Sequence, residues 1–133
     1  MTSHVHMIIG TEKDDMQNIV RDMKRHTSIA LRSAISTHPQ ESRREWMLKL
    51  MQEAGQNNSN NIGFQLWQQD NHPIELATTN IIHQKLDYIH NNPVVAGFVE
   101  GPEYYLYSSA RDYYNLPSLL PGIIKIDPIL EDL

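Results

Sequence analysis

The segment over residues 78–93 constrains this chain most. Ile82, Leu86 and Ile89 recur at i, i+4 and i+7, which predicts one apolar stripe along a helix. Thr78 or Thr79 supplies a side-chain oxygen to cap its start. Pro93 restricts Asn92 and predicts that the helix stops near it. On such a helix Tyr88 and Asn92 lie at i, i+4 and share a face. His90 follows Tyr88 by two residues and so faces away from it. Taken alone, the segment also fits a half-buried helix tyrosine with an asparagine C-cap.

A second short signature sits near the start. His4, Val5, His6, Met7, Ile8 and Ile9 form an apolar run ended by Gly10 and Thr11, which predicts a strand. Side chains two apart on a strand point to one face, so His4 and His6 lie side by side, with Val5 and Met7 opposite. Neutral imidazole is the commonest protein ligand for divalent metals, and two on one face make half a metal site. With seven histidines in 133 residues, an H-x-H triplet also arises by chance.

Elsewhere the pattern is mostly helical. Residues 12–36 read as an amphipathic helix with Met16, Ile19, Val20, Met23, Ala30 and Ala34 inward. Arg21, Arg25, Ser28 and Arg32 form its outward stripe, with Lys24 nearby. A second helix is predicted over residues 41–54, with Trp46, Leu50 and Met47 inward. A polar loop follows over residues 55–61, and residues 62–69 alternate enough for a strand. A short helix capped by Ser108 or Ser109 precedes a proline-containing, extended tail over residues 117–133.

The chain has no cysteine, which excludes disulfides and thiolate metal sites and suits a cytoplasmic protein. No apolar run is long enough to span a bilayer, so no membrane partner is expected. The net charge is −5, but it is unevenly spread. Residues 21–49 carry seven basic and three acidic side chains, a local +4, and the remainder carries −9. Such asymmetry marks a candidate nucleic-acid face, although a charged stripe is equally the form of a solvated helix face.

The two signatures in this order resemble the single-tyrosine HUH transposases, and more closely their REP-associated tyrosine transposase group. His-Val-His-Met-Ile-Ile at residues 4–9, Leu-Asp-Tyr-Ile-His-Asn-Asn-Pro-Val-Val-Ala-Gly-Phe-Val at residues 86–99 and Tyr-Ser-Ser-Ala-Arg-Asp-Tyr-Tyr at residues 107–114 carry the resemblance. Residues 64–76 resemble the strand ahead of the family's catalytic helix.

The resemblance implies an α+β fold, a ferredoxin-like antiparallel sheet with helices on one face. It places the transposase-like domain at residues 1–116. The chain starts where the family has an internal turn, so the expected fold lacks its N-terminal strand-helix-strand. Tyr88 is implied as the nucleophile that forms a 5′-phosphotyrosine link in single-stranded DNA. His4, His6 and Asn92 are implied as ligands of a divalent metal, Mg2+ or Mn2+. Arg21, Lys24, Arg25, Ser28 and Arg32 are the expected DNA contacts. The partners implied are single-stranded or hairpin DNA and a second copy in a homodimer. A phenol has an ordinary pKa of about 10 and is a poor nucleophile at neutral pH. A cation on the phosphate would ease its attack by stabilising developing charge. The alternatives are an inactive DNA-binding remnant of such a transposase, or a structural protein in which the histidines pack.

Overall fold

The computed structural model describes residues 3–59 and 63–126. The chain divides into two compact units, Gly10–Pro73 on one hand and Met1–Ile9 with Ile74–Leu133 on the other.

The first unit is a helical hairpin. Helix α1 (Met16–Thr37) begins at Asp15, whose carboxylate accepts the Gln17 amide proton at 2.9 Å. This satisfies one of the donors a helix start leaves unpaired. Its half-buried side is Met16, Ile19, Val20, Met23, Thr27 and Ile35, whereas Ala30 and Ala34 are exposed, contrary to their expected inward placement. At its C-terminal end the Arg44 guanidinium donates to the carbonyls of Ile35 and His38, and so pairs acceptors that the helix leaves open.

Helix α2 (Arg44–Gln56) packs back on α1. Its inward face is Arg44, Met47, Leu48, Met51 and Gly55, a spacing of 3, 4, 7 and 11 from Arg44. Trp46 and Leu50, expected inward, are exposed. The face is rotated because Gly55 must lie inward. A Cβ on Gly55 would overlap the backbone N, Cα and C of Phe64, so only glycine admits that chain.

Residues 63–69 lie along this hairpin without regular structure. The Gln65 amide donates to the Met51 carbonyl at 2.8 Å. The Trp67 indole donates to Thr27 Oγ1 at 2.8 Å, and Lys24 Nζ donates to the Gln68 carbonyl at 2.6 Å.

The other unit centres on helix α3 (Thr79–Val95). Thr78 is its N-cap, with Oγ1 accepting the Ile81 amide proton at 3.3 Å. Pro93 does not stop the helix at Asn92; it sits inside the last turn, where it costs one amide donor and fits the helical φ. The helix runs on to Val95. Gly97 takes φ 74°, its amide donates to Val94 and the Phe98 amide donates to Pro93. This pair of bonds around a left-handed glycine is a Schellman ending.

A 3₁₀ turn (Pro102–Tyr104) packs on α3 and on the short helix α4 (Ala110–Tyr113). Ser108 Oγ accepts the Ala110 amide proton at 3.2 Å. Arg111 donates to the carbonyls of Glu103 at 2.8 Å and Pro117 at 2.7 Å. The Tyr113 hydroxyl accepts the Ile126 amide proton at 2.8 Å, which ties the start of the tail to α4. The end of the tail, residues 127–133, lies outside the described residues.

The expected ferredoxin-like antiparallel sheet is not formed: no strand occurs among the described residues. A strand exists only as part of a ladder. The two segments read as strands belong to different units, residues 4–9 to one and 63–69 to the other. Residues 63–69 direct polar groups to the helical hairpin instead, as the Gln65 amide and Gln68 carbonyl bonds show. Without a sheet to cover them, Val5, Ile74, Val95 and Phe98 in one unit and Ile29 and Trp46 in the other stay exposed.

Candidate functional site

Residues 4–9 are extended with alternating burial: His6 and Ile8 are half-buried, and Val5, Met7 and Ile9 are exposed. His4 and His6 point to one side, with ring centroids 4.8 Å apart and planes at 79°. The His6 ring in turn meets the Tyr88 ring edge-on, 5.4 Å away. Tyr88 is 54% exposed. Asn92 follows one turn later on the same side of α3, at i+4 from Tyr88, and is half-buried. The H-x-H segment and the Y-x-x-x-N helix are thus brought together within one unit.

Among the described residues of this unit, four side-chain polar atoms are buried with no hydrogen-bond partner: His6 Nε2, His83 Nε2, Asn92 Oδ1 and Asp112 Oδ2. Buried polar groups are nearly always paired, because leaving one unpaired costs about 1–3 kcal/mol. His6 Nε2 belongs to the ring that meets Tyr88, and Asn92 lies one helical turn beyond Tyr88. Burial, and then the adjacent His4, hold the His6 pKa below the ordinary 6.5, so the ring is neutral at pH 7 and offers a lone pair. His4 Nδ1 is engaged by Ser3 Oγ at 3.2 Å, leaving Nε2 as the nitrogen for a ligand.

Among the described residues no group of three His, Cys, Asp or Glu side chains could hold a metal ion. His4 and His6 are the two imidazoles that lie together, a pair that a cation would have to complete with other ligands.

His90 is 8% exposed and turned to α4. Its Nε2 lies 3.0 Å from Ser109 Oγ, and its ring is 5.1 Å from that of Tyr113. Burial lowers its pKa, opposed by Asp87. It packs and stays away from Tyr88.

The expected DNA contacts all lie on α1 in the other unit. Arg21 is exposed and paired with Asp22 at 2.9 Å, a contact that lowers the Asp22 pKa. Arg25 is exposed. Lys24 is tied to the Gln68 carbonyl, and the Ser28 hydroxyl donates to the Lys24 carbonyl at 2.6 Å. The Arg32 guanidinium sits 4.8 Å above the centre of the Phe64 ring, a cation–π contact. Phe64 escapes a sequence reading as a site residue, since nothing local links it to Arg32, 32 positions earlier.

No protein-family model matches the chain, no curated protein matches it, and no solved structure matches it.

Proposed function

We propose that this chain is a metal-dependent single-strand DNA nuclease and strand transferase that works through a covalent tyrosine link. The observation that carries the reading is the ring cluster of His4, His6 and Tyr88, with His6 Nε2 and, one helical turn beyond Tyr88, Asn92 Oδ1 among the four buried unpartnered polar atoms of that unit's described residues. The resemblance of residues 4–9 and 86–99 to the REP-associated tyrosine transposases supplies the reaction class.

His4, His6 and Asn92 would hold Mg2+ or Mn2+. When bound, the cation supplies Lewis-acid stabilisation of charge on phosphate oxygens. Tyr88, exposed at the edge of the cluster, loses its phenolic proton to water and attacks phosphorus through the phenolic oxygen. The Tyr88 O–P bond forms as the P–O3′ bond breaks. The 3′ oxygen leaves as a hydroxyl after taking up a proton, and the 5′ phosphate stays on Tyr88. Rejoining reverses the step with another 3′ hydroxyl and needs no external energy source. α3 holds Tyr88 and Asn92 in register, and the exposed cations of α1 give phosphate contacts. The absence of cysteine fits action in the reducing cytoplasm.

The test uses Mn2+ and labelled single-stranded hairpin DNA, followed by mapping of the linked peptide. A covalent adduct on Tyr88, absent from Tyr88→Phe with DNA affinity retained, is the expected result. An adduct on another tyrosine would overturn the assignment. DNA affinity with no adduct at all identifies an inactive remnant.

A further inference from the structure

A groove in the hairpin unit, away from the residues of the tyrosine cluster in sequence, is built for a different task. It is a shallow, open groove of about 420 Å³ lined by Ser28, Ile29, Arg32, Ser33, Ser36 and Phe64. That volume falls within the range of small-ligand sites. Its lining combines an aromatic ring, an aliphatic side chain, one guanidinium and three hydroxyls.

The aromatic wall is fixed in place. The backbone of Phe64 rests against Gly55, where no side chain intervenes, and the next residue's amide is bonded to Met51. Three residues on, the Trp67 indole is bonded to Thr27 on α1. The guanidinium is also held, because Arg32 lies 4.8 Å over the ring. A preorganised flat wall and a positioned cation suit a ligand that is planar at one end and anionic at the other.

The hydroxyls add a direction. Ser28 Oγ donates to the Lys24 carbonyl at 2.6 Å, and Ser36 Oγ donates to the Arg32 carbonyl at 2.8 Å. Each has therefore spent its proton and faces the groove as an acceptor. Acceptors pair with N–H groups on a base edge and not with phosphate oxygens. The phosphate falls to Arg32, within the stretch of residues 21–49 that carries +4.

We infer that this groove receives one unpaired nucleotide of a DNA single strand, its base against Ile29 and the stacked Arg32–Phe64 pair and its phosphate on the edge of the Arg32 guanidinium. Aromatic stacking gives affinity that tolerates sequence, and the acceptor hydroxyls can take an N–H from a base edge, which all four bases present. The ligand class rests on the single-strand DNA reading above, but the groove needs neither a metal ion nor Tyr88.

The experiment is fluorescence anisotropy in excess EDTA, where metal-dependent cleavage is silent. The probes are labelled twelve-residue oligothymidylate and the same backbone without bases. The full chain is expected to prefer the strand with bases by at least about fivefold, the lower end of what one stacked base contributes. Phe64→Leu keeps an apolar wall and removes the flat ring. It should erase that share of the preference and lower affinity for the abasic strand by less than affinity for the strand with bases. Ser33→Tyr fills the groove from an exposed position on α1, leaves Phe64 and its anchors alone, and should give the same loss. Free thymidine monophosphate should compete far more weakly than the strand.

Equal binding of both probes by the unaltered chain would overturn the inference. So would a preference unchanged in Ser33→Tyr, whatever Phe64→Leu does to folding. Monophosphate competing as well as the strand would make this a free-nucleotide site and overturn it too. A Tyr88 adduct alongside any of these results would leave the proposed function standing while the groove fails.

Discussion

Replacing Asn92 with leucine separates a ligand from a structural side chain, because the two roles give opposite signs. Asn92 Oδ1 is buried and unpaired, as is His6 Nε2. A buried acceptor left unpaired costs about 1–3 kcal/mol. Leucine removes that acceptor, keeps the number and branching of side-chain heavy atoms, and raises helix propensity by a few tenths of a kcal/mol. In EDTA, Asn92→Leu should therefore be more stable than the parent by about 1 kcal/mol or more, near 4 °C in Tm for a chain of this size. Mn2+ should invert the order. At a hundred times its Kd, a ligand that binds only the folded state adds about 2.7 kcal/mol. Losing a direct ligand weakens binding by at least the roughly 10–100-fold typical when an outer partner of a metal ligand is removed, so the variant should gain little. Thermal unfolding followed by circular dichroism, with EDTA and with Mn2+, reads both signs. A variant less stable than the parent in EDTA would refute the reasoning, since the amide would then be a structural partner. An equal Mn2+ shift in both proteins would refute it as well.

Gly55→Ala should destabilise the hairpin unit by about 1–3 kcal/mol, because the new Cβ overlaps Phe64 backbone and overpacking outweighs the gain in helix propensity; loss of hydrogen-exchange protection at the Gln65 amide is the readout. Stability should fall as pH drops below neutrality. His6 and His90 have folded pKa values below the ordinary 6.5, so between those values and 6.5 the unfolded chain binds more protons. The loss begins as pH drops through 6.5 and levels off below the folded values, and His90→Gln should flatten part of a Tm-against-pH curve. Reversing Arg21, Arg25 and Arg32 to Glu should lower the log–log salt slope of single-strand binding by roughly 0.7 for each phosphate that is no longer neutralised; an unchanged slope would make the stripe a solvated face.

Helices were legible in the sequence because their signals are local. Thr78 caps α3 through its own hydroxyl, and the Ile82, Leu86, Ile89 spacing places the stripe. Tyr88 and Asn92 share a face for the same reason, since four residues make about one turn. The alternation at residues 4–9 likewise put His4 and His6 on one side, as the ring contact shows. What the residues could not announce was pairing. A strand depends on a partner elsewhere in the chain, and residues 63–69 bond to helices α1 and α2 instead. Trp46 and Leu50 suggest the wrong inward face for α2 because Gly55, with no side chain, decides the rotation by letting Phe64 approach. Pro93 suggests a stop by its missing donor, yet the helix ends where Gly97 can adopt φ 74°. Sequence alone thus determined which residues share a helix face, through backbone periodicity. Tertiary structure alone decided that His6 meets Tyr88 and that Phe64 meets Arg32, because those contacts join residues 82 and 32 positions apart, and no local propensity encodes them.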